Sequence, residues 1–534
     1  MRITRSALAG FGLACLAAAP ASAPALAQDH GIARLGTVEF KVTCTPAAQA
    51  QFHTAMALYH SFAWPQAVAA FKGIAAADPA CGMAHWGLAM ALLDNPFVLP
   101  TGMTAQRLDA IAAALDAARA AGLGSERERG YVAAFSEFVR DHASRPHAQR
   151  MQAFDDAMAA LARRHPEDME AAILSALVTS ANFNPTDKAY SNQLRAASVL
   201  EPLFKAHPNH PGVAHYLIHS YDYPAIAEKG LPAARAFAAI APDAAHALHM
   251  PSHIFTRVGQ WKASITANRE SARVAGVVSI NGLHAADYVV YAHLQLAQDK
   301  AAVQALQQTV GNPVDNFAGA YAYAAMPARI ALETGDWQAA AALPLTPSAY
   351  PWAKYPQAEA VNAFARGVGA ARAGDGASAR VQQVRLIALR DAATAAKLGY
   401  WADQADIQAA LVGALALCAD GKAAEGVAAL KAAAVREDAT EKHVVSPGPL
   451  VPARELLAEI LLAQGRHGEA LAEYQAVLAK EPNRYRAVAG AMMAARDVGD
   501  AAKARAMARE LTKLADEPDV ERASLREARR LSGG

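Results

Sequence analysis

The segment Leu457–Asn483, LAEILLAQGRHGEALAEYQAVLAKEPN, constrains this chain more than any other, because it reads as two helices joined at a glycine and ended by a proline. Gly465 turns between the helices, Ala470, Tyr474 and Val477 follow at helical spacing, and Pro482 stops the second helix. The same spacing recurs as Ala67, Phe71, Ile74 and Pro79, and again as Ala196, Leu200, Leu203 and Pro208. Small residues let the two helices of a hairpin approach, and the large ones fill the space between neighbouring hairpins. One such hairpin cannot bury its apolar faces alone, so the recurrence predicts a stacked array. A longer repeat lies in the middle, where MPSHIFTRVGQW (Met250–Trp261) returns as MPARIALETGDW (Met326–Trp337), 76 residues on, or two units of 38.

The 534 residues exceed one ordinary globular core, which again favours an array. Alternating runs of Val, Ile and Thr are scarce, and the fold class expected is all-α. We divide the chain into 1–27, a signal peptide; 28–165, N-terminal helical repeats; 166–400, a central array with a histidine-rich groove; and 401–534, C-terminal repeats. The region from Leu99 to Arg164 fits the repeat poorly, NFNPTD (182–187) and VVSPGP (444–449) read as turn-rich breaks, and the tail after Asp516 is expected to fray.

The N-terminus has Arg2 and Arg5, an apolar run from Ala7 to Ala19 and a small-x-small site at Ala25-Leu26-Ala27, the pattern of a Sec signal peptide cleaved near Ala27. Export places the mature chain in the periplasm or outside the cell. Cleavage removes two arginines, leaving 48 basic against 49 acidic residues and a net charge of −1. Such neutrality gives no bulk electrostatic reason to bind nucleic acid or an anionic membrane. No later stretch reaches the roughly 18 to 20 apolar residues of a membrane span. In an oxidising compartment Cys44 and Cys81 are expected to form a disulfide, while Cys418, in an apolar helix, is expected as a buried free thiol.

The runs EDATEKHVVSPGPLVPARELL, DPACGMAHWGLAM and HALHMPSHIFTRVG resemble a group of large exported bacterial tetratricopeptide-repeat (TPR) proteins, over nearly the whole mature chain. The resemblance implies a right-handed TPR-type solenoid and export, and carries no catalytic residues. His85 departs from it, standing where a tyrosine is expected before Trp86.

Seven of the 18 histidines fall between His207 and Arg257. In repeats of this kind the first helix of each hairpin lines a concave groove. With Pro211 as the first residue of a unit, His215 and His219 take groove-facing positions. With Gly259 as the turn of the next unit, His246, His249 and His253 do the same, one 34-residue repeat later. On a helix these positions share a face, and adjacent first helices sit about 8 to 10 Å apart, so four or five imidazoles are expected to converge at one spot. Asp222 and Arg257 follow one turn further along, Tyr288 continues the line, and Arg329 stands two units beyond His253. Pro251 removes a helical hydrogen bond and predicts a kink between His249 and His253, repeated at Pro327.

Neutral imidazoles spaced i, i+4 are good ligands for Zn or Cu, which makes His215, His219, His249 and His253 the candidate metal ligands, with Asp222 as ligand or supporting acceptor. The bland alternative is a polar floor that hydrogen-bonds neighbouring helices. His60 is expected at a helix end and His284 within reach of the cluster, while His207 and His210 are expected in a solvated turn, and Glu437–His443 on a solvated face. No nucleophile elbow, phosphate loop, HExxH or CxxC motif is present. Two functions follow: an exported scaffold whose groove binds a protein, peptide or small ligand, or a metal-dependent (Zn or Cu) enzyme or carrier built on the histidines.

Overall fold

The computed structural model describes residues 34–98, 103–311 and 313–533, and the expected signal peptide lies outside them. Among the described residues all regular structure is helical, with helices packed in consecutive pairs. The pairing follows from the sequence spacing. The helix Trp64–Ala77 buries Ala67, Phe71 and Ile74, and the helix His467–Lys480 buries Ala470, Leu471, Tyr474 and Val477. Each aromatic then packs on a glycine of the next helix: a Cβ at Gly87 would overlap the Phe71 ring, and one at Gly490 the Tyr474 ring. Between paired helices the chain turns at Gly259, Gly335, Gly421, Gly465 and Gly499, all with positive φ, where glycine avoids the strain of a Cβ. Cys44 and Cys81 form a disulfide that ties the N-terminal segment to the start of the helix Gly82–Leu93. Cys418 is a free thiol, half-buried, and burial raises its pKa.

The described residues form one compact unit, because the C-terminal part packs back onto the middle. The Trp261 indole donates to the carbonyl of Asn483 (2.8 Å), and Arg484, fully buried, donates to Tyr291 Oη (3.1 Å). Most consequential is the segment 440–452, which lies inside the molecule: Val445, Ser446, Leu450 and Val451 are buried. Arg329, with no exposed surface, ion-pairs with Asp287 (2.8 Å) and donates to Ser446 Oγ and the Gly448 carbonyl, both at 3.1 Å. Lys442 reaches Asp222 at 3.0 Å with 7% of its side chain exposed. The expected solvated face at 437–443 is therefore corrected, because Asp222 draws the lysine inward.

Two local expectations also change. His210 is buried rather than solvated, since its side chain caps the helix Pro211–Tyr221 and meets Glu170 at 2.9 Å, whereas His207 is exposed. Pro251 does more than kink: one helix ends at His249 and a new one starts at Pro251, while Pro327 lies inside the unbroken helix Phe317–Thr334.

Candidate metal centre

Six histidines from four helices meet in the interior. His215 and His219 come from Pro211–Tyr221, His246 and His249 from Ala245–His249, His253 from Pro251–Arg257 and His284 from Ile280–Gln295. They form two triads, His215/His219/His246 and His249/His253/His284, with the ligand nitrogens of each within 4.8 Å of one another. The triads adjoin, with ring centroids 6.2 Å apart between His246 and His249 and 6.4 Å between His219 and His253. The single meeting point expected from the repeat register is thus two neighbouring ones. His246 and His249, three residues apart on a helix of only five, each join a different pair of histidines.

Hydrogen bonds fix which nitrogen is free in His249, His253 and His215. Asn268 donates through Nδ2 to the Ser264 carbonyl (2.8 Å), so its Oδ1 is the atom facing His249 Nδ1, and His249 donates to it at 2.6 Å. His253 Nδ1 faces the Asp222 carboxylate at 2.8 Å and donates as well. Both Nε2 atoms are then bare lone pairs, yet they stand 3.0 Å apart with each residue 2% exposed. In the other triad His215 donates from Nδ1 to the His60 carbonyl (2.6 Å), leaving its Nε2 lone pair 3.2 Å from His246 Nε2. His219 Nε2 is buried with no hydrogen-bond partner. The facing lone pairs of His249 and His253 and the unpartnered His219 nitrogen are costly in a low-dielectric interior, and a cation between the rings would relieve that cost.

A proton is a poor candidate for that cation. Burial, with the neighbouring imidazoles adding to it, pushes His215, His219, His246, His249 and His284 well below the ordinary imidazole pKa. Burial lowers His253 too, against the pull of Asp222. A metal ion fits better. Two nitrogens bound at about 2.05 Å in tetrahedral geometry lie about 3.3 Å apart, close to the observed separations.

The surroundings hold the rings rigidly. Phe97 stacks on His219 at 3.8 Å, Phe62 on His246 at 5.2 Å and Phe237 on His215 at 5.1 Å. Asp222, behind His253, accepts from Arg257 Nε (2.8 Å) and from Lys442 (3.0 Å), and these charges hold its carboxyl well below the usual carboxylate range against the effect of burial. Burial lowers Lys442 to about 8. Tyr288 Oη lies 3.5 Å from His253 Nε2 and donates to the Ser446 carbonyl. Arg329 stands apart, committed to Asp287 and the 446–449 turn. Of the residues expected to line an open groove, His215, His219, Asp222, His249, His253, Tyr288 and Arg329 are all buried in the interior, and His246 is partly exposed.

Behind the first triad lies a third group, His60, Glu170 and His210. It is internally satisfied: both histidines donate Nε2–H to Glu170 (3.1 and 2.9 Å), while His60 Nδ1 accepts from Tyr216 (2.8 Å) and His210 Nδ1 from the Val213 amide (3.4 Å). With every polar atom paired, its role is to set the His60 carbonyl that orients His215. A cavity of about 430 Å³ adjoins the Asp222 network, its wall including Arg257, Lys442, His443, Tyr400 and Trp401.

Sequence reasoning missed Asn268, Phe62, Phe97 and Lys442. Asn268 had a signal: the buried face of Trp261–Ala275 carries Ser264, Asn268 and Ser271 where apolar residues are the rule. No helix among the described residues is long and apolar enough to cross a membrane. Neither protein-family models nor curated proteins give a match to this chain.

Proposed function

We propose that this chain is an exported metal-binding protein in which two adjoining histidine triads hold a pair of late first-row transition ions. The observation that carries the reading is the 3.0 Å approach of His249 Nε2 to His253 Nε2 while both Nδ1 atoms donate to acceptors. Neutral imidazole donors suit zinc and copper, and Asn268, Asp222 and the His60 carbonyl supply the outer hydrogen bonds that such ligands use. We read the hairpins as TPR-type, on the small and aromatic positions that pack Phe71 on Gly87 and Tyr474 on Gly490. Metal analysis of the mature protein after metal-supplemented growth and dialysis tests the reading; metal at background level would overturn it.

A second reading, ligand binding by the helical scaffold, is favoured by the cavity beside Lys442, whose aromatic wall includes Tyr190, Tyr321, Tyr400 and Trp401. Its test is the Trp401 fluorescence on titration with peptide and small-molecule libraries, compared with Trp401→Phe. Because Trp261 lines the same cavity, only a response that survives both Trp401→Phe and Trp261→Phe places the binding elsewhere.

A further inference from the structure

We infer that the paired triads select copper(I) over zinc(II), an inference that rests on the metal reading above. Its ground is the charge already present around the six rings. All six donors are neutral imidazoles, and among the described residues Asp222 is the carboxylate hydrogen-bonded to any of them. That carboxylate is claimed twice over, by Arg257 at 2.8 Å and by Lys442 at 3.0 Å, so the three groups together carry one net positive charge before any metal arrives, and the nearby Glu441 is itself neutralised by Lys188 at 2.8 Å. Two divalent ions would add four more charges to a buried, low-dielectric volume, where unpaired charge is most costly. Two monovalent ions add half of that.

Coordination points the same way. Three imidazoles complete the shell of copper(I), which accepts trigonal geometry, whereas zinc takes a fourth ligand. Room for a fourth ligand is limited at the first triad, where Phe97 lies flat on His219 at 3.8 Å, Phe62 flat on His246, and His219 Nε2 is sealed from solvent, and at the second the nearest further donor is Tyr288 Oη, 3.5 Å from His253 Nε2. The same charge count disfavours oxidation of a bound copper(I), since losing an electron adds a positive charge to the same interior. The pair therefore stores copper in its reduced form in an oxidising compartment.

The test uses the chelator-stripped mature protein, loaded without oxygen with equal copper(I) and zinc(II), then desalted, assayed by elemental mass spectrometry and opened to air for copper K-edge X-ray absorption, which reads the oxidation state of a coupled pair as well as of a single ion. The expected result is two copper ions per chain, zinc at least about tenfold lower, and no copper(II) signal after air exposure. Retention of two zinc ions, or a growing copper(II) signal, overturns the inference while leaving the metal reading intact. Retention of neither metal overturns both. Lys442→Gln removes one positive charge 3.0 Å from Asp222 and is expected to raise zinc retention several-fold, with circular dichroism confirming the fold. An unchanged zinc-to-copper ratio in that variant contradicts the electrostatic cause.

Discussion

His249 and His253 stand one helical turn apart across a helix break, and their Nε2 atoms face each other at 3.0 Å with no proton assigned to the gap. The break at Met250–Pro251 makes the arrangement possible, because the second helix starts afresh and sets His253 by its bond to Asp222. Asn268 does the same for His249 from the following helix. Ring orientation is thus imposed from outside the pair.

Asn268→Leu removes the acceptor that holds His249 in its Nδ1–H form. The expected outcome is a metal affinity lower by about 10- to 100-fold, the usual effect of losing such a support, in a protein that stays folded. Competition against a chromophoric chelator measures it, and wild-type affinity would show that the amide does not set the ring.

The metal-free protein is expected to lose stability in acid. His215, His219, His246, His249, His253 and His284 are all held below their unfolded value, which is about 6.5. The unfolded chain therefore takes up protons that the folded chain refuses. The stability these groups contribute is complete above about pH 6.5 and is lost as pH falls below it, by about 1.4 kcal/mol per pH unit for each histidine that stays neutral. Urea midpoints are expected to be flat above about pH 7 and to drop steeply toward about pH 5; a midpoint that rises on acidification contradicts the burial of neutral rings.

Gly212→Ala tests the link from the third histidine group to the centre. A Cβ there would lie 2.5 Å from His60 Nδ1, displacing the residue whose carbonyl orients His215. The expected cost is about 1–3 kcal/mol in unfolding free energy, the range for overpacking a filled interior, together with weaker metal binding at the first triad. Equilibrium denaturation and metal titration read the two effects separately.

Arg329→Met leaves Asp287 buried without its partner and unpins the 446–449 turn. Breaking a buried pair from one side costs about 3–5 kcal/mol. The double variant Arg329→Met/Asp287→Leu is expected to recover part of that loss, and a double variant no more stable than the single one would show that the turn contacts dominate.

Local pattern made much of this molecule legible. The small and aromatic spacing of 67–74 and 470–477 predicts which helix faces are buried, and helical periodicity brings His215 with His219 and His249 with His253 into reach of one another. What the pattern does not encode is long-range closure. Lys442 meets Asp222 across 220 positions, and nothing within either segment marks the other as its partner. The charged run at 437–443 looks solvated for that reason, and His210 looks exposed because its partner Glu170 lies 40 positions upstream. Phe62 and Phe97 read as ordinary apolar residues, since stacking on an imidazole leaves no trace in spacing.

The most direct test is the metal stoichiometry of the purified protein beside a His249→Gln/His253→Gln variant, after copper- or zinc-supplemented expression and dialysis. The account predicts two ions per chain in the wild type and one in the variant, whose His215/His219/His246 triad is intact. A wild type that retains no metal above background, in a protein shown to be folded, would contradict it.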